Sequence, residues 1–265
     1  MLVRSLLARP RCPPPPDTAI VLVHGYLCLS RLYYWRGLRP LRRELRAAGR
    51  PVFHSCQPRT GSVASRAHQL ARCLQRLPQR RLVLIGHSMG GLDARYVASR
   101  LDPERRIAHV VTLGTPHRGT VIADWALREP VPFSRLMRWL DRGALRDLTP
   151  ERARRLNAEM PDRADVGYTA LGGVCPSQDL AGSWRWCGEL VAREEGPNDG
   201  IIALRSALRG PDALALSADH LELIGQGARP GAGVAAGRGP ATALAALRQV
   251  LHRLLPGMPG MEQPG

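Results

Sequence analysis

A chain of 265 residues, 44% of them hydrophobic, is long enough to bury a sizeable core in one large domain. The formal net charge of +16 comes from 38 basic residues, all of them arginine, scattered along the chain with no interleaved set of aromatics. That dispersal argues for a compositional bias and against a nucleic-acid partner, and the lack of any run of about 18 uncharged apolar residues argues against a transmembrane helix.

The first sixteen residues, "MLVRSLLARPRCPPPP", form a proline-rich tail. Arg4 and Arg9 interrupt its apolar stretch and no small-residue cleavage site follows, so it reads poorly as a secretory leader. A cytoplasmic location is the expectation, and secretion with a leader removed is the alternative. Residues 17–255 are then expected as a single domain, and residues 256–265 as a flexible tail. Of the six cysteines, Cys12, Cys28, Cys56 and Cys73 lack metal-ligand spacing. Cys175 and Cys187 flank a short, loop-like stretch. They could pair in an oxidising compartment and would stay free thiols in the cytosol.

From Thr18, "TAIVLVHGY" is a continuous apolar strand ending at His24-Gly25, and Arg31–Ala48 has helical spacing up to Gly49. "PVFHSC" reads as a strand. Ser62–Leu77 carries Ala64, Ala67, Leu70, Ala71, Leu74 and Leu77 on one helical stripe. "RLVLIG" is a third strand, Ser88–Leu101 a helix, and "IAHVVTLGTPH" a fourth strand. Strands alternating with helices, each strand a continuous apolar run, predict an α/β fold with a mostly parallel sheet covered on both faces. Between about residues 120 and 163 the pattern changes. Phe133, Leu136, Met137, Leu140, Leu145 and Leu148 recur every three to four residues among arginines, predicting one or two inserted amphipathic helices. "GYTALGGV" and "ALALSA" are the last strands, "GARPGAGVAAGRGP" a loop, and Ala241–Leu255 a terminal helix.

The chemistry concentrates at Gly86-His87-Ser88-Met89-Gly90, which follows a strand and precedes a helix. A nucleophile elbow needs that context: a sharp strained turn exposes the serine hydroxyl at the sheet edge, and the flanking glycines remove side chains that would collide. An idle serine in a tight turn is the bland alternative. A neutral serine also needs a base held by a third group. In this kind of fold the chain order is serine, acid, histidine. Among eight histidines, His220 follows the last strand and stands in the right place. His24 is expected to order its loop, His117 could line the cleft, and His54, His68 and His109 read as structural. Asp199, in a Pro-Asn-Asp-Gly turn, is the favoured acid, ahead of Asp179, Glu194 and Glu195. The oxyanion hole requires two backbone donors, assigned to the amides of Met89 and Tyr26.

The stretches "VLVHGY", "LIGHSMGGLDARYVAS", "VVTLGTPHRGT", "LTPERARRLNAEMPD", "PNDG" and "DHLELIGQ" fall in order over most of Ile20 to Gln226. They resemble the bacterial triacylglycerol lipases of the Pseudomonas and Burkholderia type. The resemblance implies an α/β-hydrolase with Ser88, Asp199 and His220 as triad, and a mobile lid over an apolar acyl site. It also implies a structural calcium ion near the catalytic histidine, with Glu222 where that family has aspartate, Gln226 following, and Asp179 as a second carboxylate. An arginine partner for Glu222 is the alternative to the metal, and no cofactor is required for the chemistry. That family's disulfide has no clear counterpart, because Arg205 and Ser206 stand where a cysteine is expected.

The expected function is carboxylic-ester hydrolysis on lipid esters, with transient contact to a lipid surface. A phospholipase, thioesterase or acyltransferase on the same triad is the alternative. A catalytically idle hydrolase-fold binding protein is the non-enzyme alternative.

Overall fold

The computed structural model describes residues 17–26, 36–129, 132–180, 182–227 and 239–255. The proline-rich tail, most of the 227–240 loop, the start of the Arg31–Ala48 helix and the 256–265 tail lie outside the described residues. Six strands form one sheet: β1 (Thr18–Val23), β2 (Val52–His54), β3 (Arg81–His87), β4 (Ile107–Leu113), β5 (Gly167–Gly173) and β6 (Ala213–Leu216). Their order is β2-β1-β3-β4-β5-β6, and every neighbouring pair is parallel. Parallel neighbours require crossovers, which the helices α1 (Arg39–Ala47), α2 (Val63–Gln75) and α3 (Met89–Arg100) supply.

The continuous apolar runs of β1 and β3 are explained by burial on both faces. Ile20 and Leu22 of β1 pack with Leu41 and Leu45 of α1 and with Leu247 and Leu251 of the terminal helix α9 (Pro240–Leu254). Their chain neighbours Ala19, Val21 and Val23 face the other way, onto Leu70 of α2 and Ala94 and Val97 of α3. The strand order reverses between β1 and β3, and the crevice of such a sheet opens at the carboxyl ends of those two strands. Residues 24–26 and Ser88 both lie there.

Across that edge lie three helices, α4 (Val121–Arg128), α5 (Pro132–Asp147) and α6 (Pro150–Glu159), where one or two were expected. The second half of this segment is core. Ala144, Leu148, Leu156 and Met160 are buried with Val63, Met89 and Leu92, and Tyr26 packs against them. The first half of α5 differs: Leu136 is 51% exposed and Trp139 80% exposed. Non-helical dihedrals at Asp141 separate the two halves. The side chains of Phe133, Met137 and Leu140 lie outside the described residues.

A further helix, α7 (Ser183–Glu195), begins inside the stretch between Cys175 and Cys187 that was expected to be loop-like. Its buried face is made by Gly188, Leu190 and Val191. The short α8 (Leu204–Ala207) follows the Asp199 turn. Of the two states left open for Cys175 and Cys187, the structure has both thiols free, and the disulfide joins Cys56 to Cys73, bracing the start of the β2–α2 connection against α2. Among the described residues no helix is long and apolar enough to cross a membrane.

One ion pair ties the site-bearing elements together. Arg66 of α2 and Asp93 of α3 are fully buried, with Arg66 Nη2 2.7 Å from Asp93 Oδ2. Arg66 also donates to the carbonyls of Pro58 (2.6 Å) and His24 (2.9 Å). Burial pushes the Asp93 carboxyl up to about 6, against the pull of Arg66. Removing one partner of such a pair leaves an uncompensated buried charge, a loss of about 3–5 kcal/mol. Arg66→Ala is therefore expected to lower the urea midpoint by that order of stability. A midpoint within about 0.5 kcal/mol of the parent, the scatter of ordinary surface substitutions, would contradict this account.

Candidate active site

The elbow is built from glycines and strain. Ser88 sits between β3 and α3 with φ 55° and ψ −132°, and its amide donates to the Leu113 carbonyl at 2.9 Å. A non-glycine residue in such a region costs roughly 1–3 kcal/mol and persists only where its surroundings enforce it. Here they do. A Cβ on Gly86 would lie 2.5 Å from the Gly91 Cα, and one on Gly90 would lie 2.5 Å from the Val23 carbonyl oxygen. Strand, turn and helix thus close to backbone contact, and the Ser88 side chain is left at the surface of the turn, partly exposed. The Met89 amide opens α3, where helix N–H groups have no intrahelical acceptor and the helix dipole is positive.

The loop after β1 passes directly over this turn. A Cβ on Gly25 would stand 2.8 Å from the Ser88 Cβ, so only glycine lets the loop approach so near. His24 fixes the loop from several directions. Its ring nitrogens lie 2.9 Å from the Gly25 carbonyl and 3.1 Å from the Gln57 carbonyl, and its own carbonyl accepts from Gln57 Nε2 at 3.1 Å as well as from Arg66. Tyr26 follows, so its amide and that of Met89 belong to the two segments that meet at Ser88. The Tyr26 phenol is buried without a hydrogen-bond partner, and burial, aided by the Asp141 carboxylate, pushes its pKa upward.

Asp199 and His220 come together as the chain order implied. His220 Nδ1 is 2.7 Å from Asp199 Oδ2. Asp199 is fully buried, and its other oxygen accepts the amides of Ile201 (3.1 Å) and Ile202 (2.8 Å). These bonds hold the carboxylate as an acceptor, so Nδ1 carries the proton and Nε2 is left with a lone pair. The backbone repeats the link, with the His220 amide donating to the Asp199 carbonyl at 2.9 Å. The pair seats against Gly114, where a Cβ would lie 2.9 Å from Asp199 Oδ2 and 3.0 Å from His220 Nδ1.

His87 joins the two halves of the site. Its Nε2 donates to the His220 carbonyl at 2.9 Å, and its ring centroid is 4.5 Å from that of His220. Burial, reinforced by His220, holds the His87 pKa well below the ordinary imidazole value, so this ring stays neutral while it supports its neighbour. Ser88 is the next residue along the chain. Its hydroxyl and His220 are at one sheet edge without a hydrogen bond between them, a looseness common before substrate binds.

The remaining candidates are placed elsewhere. Glu194 pairs with Arg193 at 2.9 Å, Glu195 with Arg205 at 3.7 Å, and Asp179 lies in the one-turn 3₁₀ helix Ser177–Asp179. His117 does not line the cleft. It is buried between Arg95 (3.2 Å from Nδ1) and Thr112 (3.1 Å from Nε2), and burial beside arginines depresses its pKa. Gln57, Arg66, His87 and Gly114 were not singled out as parts of this site. Their roles lie in contacts across the fold, and only the Gly114 position inside "LGTPH" hinted at one.

The proposed calcium ligands fit a cation poorly. Glu222 Oε2 accepts the Asp219 amide at 2.8 Å, and the Gln226 amide donates to the Leu221 carbonyl at 3.0 Å. No group of three or more His, Cys, Asp or Glu residues is gathered for a metal among the described residues. A calcium ion takes roughly six to eight oxygens.

A parallel sheet with a strained serine elbow at its reversal point, and a buried Asp–His pair beside it, defines the α/β-hydrolase class. The α/β-hydrolase fold family matches residues 18–147, and the chain has that fold. Triacylglycerol lipase 2 of Saccharomyces cerevisiae is 29% identical over 214 residues, covering 75% of this chain and 64% of the yeast protein. The triacylglycerol lipase of Burkholderia plantarii is 32% identical over 117 residues, 40% of this chain and 31% of that one. The chain thus spans less than two thirds of the length of these relatives. A mature Bacillus licheniformis lipase superposes with a TM-score of 0.70 at 21% identity, covering 91% of this chain and 94% of its own. A metagenomic carboxyl esterase superposes equally, with a TM-score of 0.70 at 21% identity over 90% and 76% of the two chains.

Thermal melts in EDTA and in millimolar calcium are expected to share one midpoint, because a ligand that binds the folded state must raise it. A midpoint that rises with calcium and falls with EDTA would establish the metal.

Proposed function

We propose that the protein is a serine carboxylic-ester hydrolase acting on lipid esters. The observation that carries the reading is the Asp199–His220 bond at the sheet edge where Ser88 is exposed. Nε2 of His220 takes the proton of Ser88 as the serine oxygen attacks the ester carbonyl. The amides of Met89 and Tyr26 receive the developing oxyanion, the first from a helix N-terminus and the second from the loop that Gly25 allows to approach. Asp199 holds the imidazole in the required tautomer and stabilises it once charged. His220 then gives its proton to the leaving alcohol, and the acyl chain remains on Ser88. Water, activated by His220, attacks the acyl-enzyme and frees the acid and the serine.

Similarity to lipases and esterases supports ester chemistry, and the exposed Leu136 and Trp139 favour lipid over small polar substrates. An apolar side chain held in water is released from that penalty at a lipid surface. The lid is accordingly assigned to the first half of α5, ahead of Asp141. The segment from Ala144 onward stays fixed in the core.

Ser88→Ala and His220→Ala are each expected to reduce kcat by on the order of a million-fold, and Asp199→Asn by less, with the fold intact by circular dichroism. Near-parental turnover in any of the three would remove that residue from the triad. The double variant Leu136→Ser, Trp139→Ser should lose more activity on emulsified triglyceride than on a soluble short-chain ester. Equal losses on both would count against a lid.

A further inference from the structure

Trp184 stands beside the catalytic pair without a part in the chemistry so far described. It is the second residue of α7, and its half-buried ring centroid lies 6.3 Å from that of His220, tilted by 37°. The same indole lies over the turn that carries Asp199, since a Cβ on Gly200 would be 3.4 Å from Trp184 Cε3. Nδ1 of the imidazole is bonded to Asp199, and the His87 ring packs on it at 4.5 Å. Among the described residues, Trp184 is the further aromatic ring near His220, and it is not spent on building the triad.

The direction of proton transfer decides what such a wall meets. In acylation, His220 donates from Nε2 to the oxygen of the departing alcohol, so that alcohol must lie against His220 while the acyl carbon is bonded to Ser88. A side chain beside the Nε2 edge of His220 would border the alcohol portion of the ester. An indole has only two side-chain torsions and a flat, rigid surface, so it yields little to a branched group.

We propose that Trp184 forms the wall of the alcohol-side pocket and selects esters of unbranched primary alcohols over those branched at the carbinol carbon. This rests on the ester-hydrolase reading above and adds a specificity residue to it. Glycerol esters fit the pattern in their outer positions, where the ester oxygen is on a CH₂ group, and the middle position is the branched case. The site should then prefer outer-position lipid esters.

The test compares two substrate series. In the first, butyrate esters of 1-butanol and 2-butanol vary the alcohol. In the second, ethyl butyrate and ethyl octanoate vary the acyl chain. A pocket contact of one methyl group is worth about 10-fold or more in kcat/KM. Trp184→Ala is expected to raise the 2-butyl to 1-butyl ratio by at least about that factor, with the octanoate to butyrate ratio moving less than about two-fold. Trp184→Phe should fall between parent and alanine variant. An unchanged alcohol ratio would overturn the proposal, and so would equal changes in both series. Trp184→Leu serves in place of the alanine variant should that fail to fold, and the ratio decides in the same way. A uniform fall in kcat on every ester would assign Trp184 to holding His220 in place and would also overturn it. Should Ser88→Ala still hydrolyse the 1-butyl ester, the ester-hydrolase reading itself fails at this site, whatever Trp184 does.

Discussion

The site depends on Ser88 being held in a backbone conformation that its side chain disfavours. With φ at 55°, the residue cannot relax because β3, α3 and the loop after β1 are all in backbone contact around it. The strain is small beside the burial that opposes its release. β1 and β3 are apolar on both faces, and their side chains are shared between helices on the two sides of the sheet. A shift of the elbow would have to move both packed layers. The core thus maintains the geometry, and the local sequence alone does not.

The same logic extends to the loop proposed to carry the second oxyanion donor. Left to itself, a loop leaving a sheet edge would be free to move. Here Arg66 reaches its carbonyl from α2, Gln57 grips it from the β2–α2 connection, and the Arg66 charge is balanced by Asp93 on the elbow helix. A buried charge is retained only when paired and hydrogen-bonded, so the pair forces α2, α3 and the loop into one arrangement. Asp199 is treated alike, with two amides and an imidazole on a fully buried carboxylate.

Much of this was legible in the sequence because its signals are local. The run before Gly86, the glycines around Ser88 and the turn at Asp199 each declare a backbone requirement within a few residues. The serine–acid–histidine order then selected His220, which the structure bonds to Asp199. What was not legible depends on pairing across the fold. Arg66 reads as one of many arginines on a helix until Asp93 is opposite it. His117 read as a residue that could line the cleft because its partners, Arg95 and Thr112, lie on another element or behind it in the strand. The α7 segment was not read as a helix because its buried face is short, and with it the nearness of Trp184 to His220 was hidden. The cysteines followed suit, since proximity of Cys56 and Cys73 is set by how α2 folds back beside β2.

The central claim is that Ser88 is the nucleophile and His220 its base. The most direct measurement is covalent: the protein is reacted with a p-nitrophenyl alkylphosphonate, and the adduct is located by mass spectrometry of the digested chain. The account predicts one phosphonyl group per chain, on the peptide bearing Ser88, formed far more slowly in His220→Ala and not at all in Ser88→Ala. A phosphonyl group on a different residue, or labelling of Ser88 at the parental rate without His220, would contradict it.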